Sequence, residues 1–160
     1  MKRLITIGVY GWDLDRFLTA LAHADVRLLL DVRQRRGVRG REYAWANAVR
    51  LQQALAGAQV AYRHHRELAP TTELRQLQYA EDARLGVGKR SRTALAPAYR
   101  ARYTREILDQ VELGPIVTEL ADDGASALLC VERDPEACHR SIIAARMSTA
   151  GDVVVDHLRP

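Results

Sequence analysis

Two stretches of this 160-residue chain hold side chains whose types and spacing could do chemistry. The first is Leu128-Leu129-Cys130-Val131-Glu132-Arg133-Asp134-Pro135-Glu136-Ala137-Cys138-His139-Arg140. An apolar run leads through Asp134-Pro135, a turn signal, to a helix that begins near Cys138. The unpaired N–H groups and positive dipole end of such a helix suit an anion, with Arg140 beside them and Arg133 as a second cation. The same field favours the thiolate of Cys138. Three uses compete for these residues. Cys138 and His139 are candidate nucleophile and base, with Glu132 or His139 moving protons. Adjacent helical residues point about 100° apart, which gives the two different partners. Cys130, Cys138 and His139 with His64 or His65 would make a zinc set, but without a recognised CxxC spacing, so no metal and no cofactor are assigned. The plainest use makes Cys130 a core cysteine and His139 a capping or packing residue.

The second stretch is Arg33-Gln34-Arg35-Arg36-Gly37-Val38-Arg39-Gly40-Arg41, five arginines in nine residues, followed by Tyr43 and Trp45. Arginines spaced by glycines can hold a phosphate backbone while an aromatic ring stacks a base. Arg35, Arg36, Arg39 and Arg41 are the candidate nucleic-acid contacts; the alternative is a solvated loop. Gly86-Val87-Gly88-Lys89 lacks both the GxxxxGK[ST] spacing and a preceding strand, which excludes a Walker site. Tyr99 and Tyr103, four apart on a helix, read as core packing.

These residues sit in a chain that is 48% hydrophobic and 28% charged, near the size of one domain, so a single domain over 1–160 is expected. Lys2 and Lys89 are the only lysines beside 22 arginines, and arginine grips phosphate bidentately where lysine is a point charge. The net charge of +4 conceals a block of +11 over residues 27–105 and one of −8 over 106–136, which points to an anionic partner. No apolar run approaches the ~20 residues of a membrane span. Two cysteines make no disulfide framework, so a cytoplasmic location is expected.

Strand-like and helix-like segments alternate from end to end. Strands are expected at Leu4–Val9, Leu28–Arg33, Gln59–His64, Ala127–Val131 and Val153–Val155. Asp13, Asn47 and Thr71 or Thr72 start helices, Gly57 and Gly86 end two of them, and Pro97 opens one to about Val111. Gly114-Pro115 opens another to Asp123, and His139–Ala150 is the last. Such alternation implies an α/β fold: a doubly wound, mostly parallel sheet of about five strands with helices on both faces, Rossmann-like without a dinucleotide fingerprint. Ligands of such sheets bind at the carboxyl ends of the strands.

That rule gathers Tyr10, Arg33, Tyr62, Glu132 and Arg133 from separate segments, with Arg140 close behind. The expected ligand is a phosphate-bearing anion, a nucleotide or a nucleic-acid end, held by Arg33, Arg133 and Arg140 and oriented by Tyr10 or Tyr62. Glu132, His139 and Cys138 stand ready for a hydrolytic or transfer reaction. One alternative is a non-catalytic nucleic-acid binder using 33–41 and 84–105. Another is a self-associating module that sets the acidic block of one copy against the basic block of another.

Ile7-Gly8, Phe17, Leu30-Asp31-Val32-Arg33, Tyr62, Tyr99, Val155-Asp156-His157-Leu158 and above all the Cys130 to Arg140 segment resemble the domain-of-unknown-function 488 family over nearly the whole chain. The resemblance implies a compact cytoplasmic α/β domain and carries no established reaction. The family's recurrent positions fall on Arg33, Tyr62, Cys130, Glu132, Arg133, Cys138, His139 and Arg140. The chain departs from the pattern at Tyr10, where many members have a small hydroxyl residue, and at Leu68-Ala69-Pro70, where a Leu-Gly pair is usual.

Overall fold

The computed structural model describes residues 1–160. Five strands, β1 (Lys2–Ile7), β2 (Val26–Asp31), β3 (Ala61–His64), β4 (Ala125–Leu129) and β5 (Val153–His157), form one sheet in the order β3-β2-β4-β1-β5. Every pairing is parallel. Six α-helices connect them: α1 (Leu14–His23), α2 (Ala48–Gly57), α3 (Thr72–Leu85), α4 (Pro97–Glu106), α5 (Leu113–Glu119) and α6 (His139–Ala150). The architecture is the expected α/β, Rossmann-like one, with a sheet that is wholly parallel. No helix is long and apolar enough to cross a membrane.

Strand periodicity divides the apolar residues between the two faces. Ile5, Ile7, Leu29, Ala127 and Leu129 pack with Phe17 and Leu21 of α1 and Leu51 and Leu55 of α2. Leu4, Leu28, Leu30, Leu128 and Cys130 pack with Leu74, Tyr103, Ile116, Ile143 and Met147 of α3 to α6. Both faces are therefore dry, which is why these strands read as continuous apolar runs. Cys130 continues the Leu128 side and so faces α6.

The strand order also determines where the connections part. From β2 the chain moves outward to β3 through α2, on one face; from β4 it moves outward to β5 through α6, on the other. The two strands stay paired to their carboxyl ends, and the connections that leave them on opposite faces open a crevice between β2 and β4.

Several boundaries differ from the sequence expectation for a common reason. β1, β2 and β4 end two residues earlier, at Ile7, Asp31 and Leu129. The apolar run continues because the following loops are themselves buried: Val9, Val32 and Val131 lie in the core, and the backbone N–H groups of Val9 and Tyr10 both donate to the Val131 carbonyl at 3.0 Å. α4 stops at Glu106 and hands over to a 3₁₀ turn at Leu108–Gln110, and α5 stops at Glu119, where Leu120 turns extended. Asp13 and Thr71 cap α1 and α3 by accepting from Arg16 and Leu74 N–H groups. Gly86 closes α3 at φ 71°, a left-handed conformation suited to glycine. Asn47 precedes α2 without capping it; its Oδ1 accepts instead from Val38 N–H at 2.8 Å and ties down the arginine-rich loop.

Candidate functional site

Above the β2–β4 crevice lies a cleft of about 710 Å³. One wall is the loop after β2, with Arg33, Gln34, Arg35 and Arg39; another is α3, with Arg75, Gln78 and Tyr79. The segment 88–92 and Tyr10 complete the rim, and Cys130, Glu132, Cys138 and His139 form the floor. Seven cations, Arg33, Arg35, Arg39, Arg75, Lys89, Arg90 and Arg92, line the cleft against a single carboxylate, Glu132.

On the floor, His139 Nε2 lies 2.8 Å from the Val32 carbonyl oxygen. A carbonyl only accepts, so Nε2 carries a proton, and in its neutral form the ring presents a lone pair at Nδ1. That atom is 3.7 Å from Cys130 Sγ and 3.7 Å from Cys138 Sγ. The three donor atoms lie within 4.8 Å of one another, and all three residues are buried. The 100° divergence expected of neighbouring helical residues does not apply to Cys138 and His139. Cys138 is the N-cap, with extended backbone at φ −141° and ψ 145°, and this geometry returns its sulfur to the His139 ring. The Cys130 thiol donates to Glu132 Oε2 at 3.4 Å.

Charge at the floor is uneven. Burial raises both thiols, but for Cys138 the neighbouring Cys130 thiol, the Arg140 guanidinium and His139 outweigh it and hold the group well below its ordinary value. Burial and the proximity of Cys138 push Cys130 well up, so of the pair Cys138 ionises first. Burial would lower His139, yet the adjacent Cys138 sulfur more than offsets this and raises it. Arg140, 0% exposed, donates to the carbonyls of Glu132 at 2.7 Å and Arg133 at 3.1 Å and has no carboxylate partner; its Nε is unpaired. The guanidinium thus braces the loop after β4 and supplies a fixed positive charge behind Cys138.

The inner cations of the cleft are answered by the protein itself. Arg33, 1% exposed, donates through Nε and Nη2 to both oxygens of Asp31, at 2.9 and 2.8 Å, and through Nη1 to the Ala46 carbonyl at 2.8 Å. Tyr62 donates to the same Asp31 at 2.6 Å and Arg36 donates to the Tyr62 hydroxyl at 3.3 Å. Burial first, then its bond to Asp31, pushes the Tyr62 phenol up to about 12. Arg92 binds Asp82 Oδ2 at 2.7 Å and Glu132 at 3.3 Å. Lys89 stands 4.0 Å from Glu132.

The outer cations are different. Arg35 and Arg39 make no side-chain hydrogen bond or ion pair, and Arg75 has only neutral partners, Gln34 Oε1 at 2.7 Å and the Tyr79 hydroxyl at 3.0 Å. Arg90 straps the two basic segments together: it donates to Glu42 at 3.0 Å and to the Arg39 carbonyl at 2.9 Å. Its guanidinium lies 5.2 Å from the centres of both the Tyr10 and Tyr43 rings.

Of the residues nominated from the sequence, Tyr10, Arg33, Arg35, Arg39, Glu132, Cys138 and His139 meet in this cleft. Tyr62, Arg36, Arg41, Arg133 and Arg140 are not among its lining residues. Arg133 is exposed, and Arg140 is locked beneath the loop that carries it. His64 and His65 stand apart from the cysteines: His64 Nε2 bonds the Arg33 carbonyl at 2.9 Å, and His65 bridges Glu67 and Glu119. Sequence reasoning missed Arg75, Gln78 and Tyr79. Their signal was present, since Arg75, Gln78, Tyr79 and Asp82 form a polar stripe at helical spacing on α3. Lys89, Arg90 and Arg92 fall inside the 84–105 basic stretch, where the sequence drew attention to Lys89 only for a Walker loop that its spacing excludes.

A wholly parallel, Rossmann-like sheet with a cation-lined cleft over its carboxyl edge defines the class to which this chain belongs. The profile of the family described as Domain of unknown function DUF488 matches residues 13–147. The chain belongs to that family, and the Cys130, Cys138 and His139 segment that carried the resemblance forms the cleft floor. No curated protein and no solved structure matches it.

Proposed function

We propose that the protein binds a phosphate-bearing anion, a nucleotide or the phosphorylated end of a nucleic-acid strand, in the cleft at the carboxyl ends of the strands. The observation that carries this reading is the charge imbalance of the cleft: seven cations face one carboxylate, and Arg35, Arg39 and Arg75 have no carboxylate partner at all. A cleft of about 710 Å³ falls within the range of small-molecule sites and suits a nucleotide better than an open stretch of duplex. Tyr79, exposed on the rim, offers ring surface to a base, whereas the Tyr10 ring is already packed against Arg90 and Tyr43. The holding cations are the outer ones of the rim, since Arg33 and Arg140 already spend their donors on Asp31, Ala46 and the loop after β4. The floor beneath, with Cys138, His139 and Glu132, is where a hydrolytic or transfer reaction on that ligand would take place.

Calorimetric titration of the full chain with adenosine mono- and triphosphate, pyrophosphate and a 5′-phosphorylated oligonucleotide tests the reading. Binding should weaken about tenfold for each of Arg39→Ala and Arg75→Ala, because a charge-assisted hydrogen bond contributes about 1.5 kcal/mol or more. Absence of binding by every phosphate probe, or indifference to both substitutions, overturns it. Equal affinity for 5′-phosphorylated and unphosphorylated strands, with a steep salt dependence, assigns the same arginines to a nucleic-acid backbone instead.

A further inference from the structure

We propose that Cys130, Cys138 and His139 form a zinc site on the cleft floor, with one coordination position open to the cleft. The donors come from two places: Cys130 just past β4, Cys138 and His139 at the start of α6. They converge because the N-cap backbone of Cys138 is extended. Both sulfur–Nδ1 separations are 3.7 Å. A tetrahedron with Zn–S of ~2.3 Å and Zn–N of ~2.0–2.1 Å has sulfur–nitrogen edges of about 3.6 Å, so the two edges already match. The longest separation among the three atoms, at most 4.8 Å, closes to a sulfur–sulfur edge of about 3.8 Å with a side-chain adjustment.

The histidine is prepared for this use by its other nitrogen. Its Nε2–H donates to the Val32 carbonyl at 2.8 Å, which fixes the tautomer and aims the Nδ1 lone pair between the sulfurs. Metal-bound histidines are commonly oriented by such an outer hydrogen bond. Without an ion, the partners of this buried nitrogen are the two cysteine sulfurs, each at 3.7 Å, the same atoms that would share the metal with it. Two sulfurs and an imidazole select a borderline-soft ion such as zinc over magnesium or calcium, which demand oxygen. Three protein donors beside a cleft match an open site, whereas structural zinc sites are closed by four. Glu132 stands beside the open position, with Oε2 3.4 Å from Cys130 Sγ.

Metal binding is independent of the anion reading; only the further step, in which the ion polarises an anion held by the rim, rests on it. The test uses reduced, chelator-stripped full chain titrated with zinc against a chromophoric competitor, and with cobalt for its spectrum. One equivalent of zinc, an intense thiolate-to-cobalt charge-transfer band and protection of both thiols from alkylation are expected. Cys138→Ser and His139→Gln should each weaken zinc at least tenfold while keeping the circular dichroism of the parent, and His64→Gln should leave uptake intact. Folded wild-type chain that takes up no zinc, or cobalt bound without the thiolate band, overturns the proposal, and neither result depends on a variant folding. Loss of zinc on His64→Gln, or a Cys130–Cys138 disulfide as the stable resting form under thiol reductant, overturns it too. Arg75→Ala separates the two proposals, since it should lose phosphate affinity and keep its zinc.

Discussion

Arg33 and Arg75 line the same cleft and use the same guanidinium in opposite ways. Arg33 lies just past β2, almost wholly out of water, and places three of its donors on Asp31 and the Ala46 carbonyl. Arg75 lies on α3, half-buried, and meets only an amide oxygen and a phenol. A buried ion pair adds little net stability when intact, but removing one partner strands the other charge in a poor solvent. An arginine answered by neutral groups near water can be removed at little cost to the fold and still has its charge to offer a ligand. Position at a strand end therefore does not identify a ligand arginine; the identity of its partner does.

The sharpest way to break this comparison is Asp31→Ala, which strands Arg33 and also takes the acceptor of Tyr62. Urea unfolding should show a loss of about 3–5 kcal/mol; a loss below 1 kcal/mol would mean that Arg33 is not held as described. Arg140→Leu removes the donors to two loop carbonyls, with an expected cost of about 2 kcal/mol by the same assay. Tyr62→Phe removes one bond to a buried carboxylate, with an expected cost of about 1.5 kcal/mol at neutral pH. It carries a second signature in alkali. The folded phenol titrates near 12, above its ordinary 10, so the folded state holds that proton more tightly than the unfolded chain does. Its contribution is complete below pH 10 and is lost as pH rises towards 12; the parent should lose stability more steeply there than Tyr62→Phe. Arg75→Ala should shift stability by no more than about 0.5 kcal/mol, while the proposed function has it reduce phosphate affinity. Arg102→Ala, which breaks only an exposed pair with Glu106 at 3.1 Å, should cost about 0.3–0.5 kcal/mol and leave phosphate binding unchanged.

Much of the architecture is readable from the chain because the three central strands, β1, β2 and β4, are apolar on both faces and several helices start or stop at a residue with a physical reason to be there. Asp13, Thr71, Gly86 and Pro97 act where their chemistry places them. Strand order is not readable. Nothing local in Ala125–Leu129 says that it inserts between β1 and β2, and that insertion locates the crevice. The candidate site divides in the same way. Cys138 and His139 could be named from their neighbours, but their convergence depends on one pair of backbone angles at an N-cap. Arg33 and Arg140 could be named as cations, but their burial depends on Asp31 and on the carbonyls of Glu132 and Arg133, which sequence spacing does not bring together. Arg75 was hidden by its distance along the chain from the loop it faces.

Gly8 shows how closely these parts are fitted, since a Cβ there would overlap the Glu132 carbonyl, the same oxygen that accepts from Arg140. The insertion of β4 has a larger consequence, and it concerns time. β1 and β2 leave the ribosome early, yet they share no ladder; each pairs with β4, about 100 or more residues later. Until Ala125–Leu129 has been made, the growing chain has one two-strand fragment, β2 with β3, and a β1 with no partner strand. Closing so long a loop is slow, so the middle strand sets the pace of assembly. The floor residues Cys130, Cys138 and His139 follow directly behind it. The nascent protein therefore cannot assemble its cysteine–histidine cluster before the strand that joins its sheet has been made.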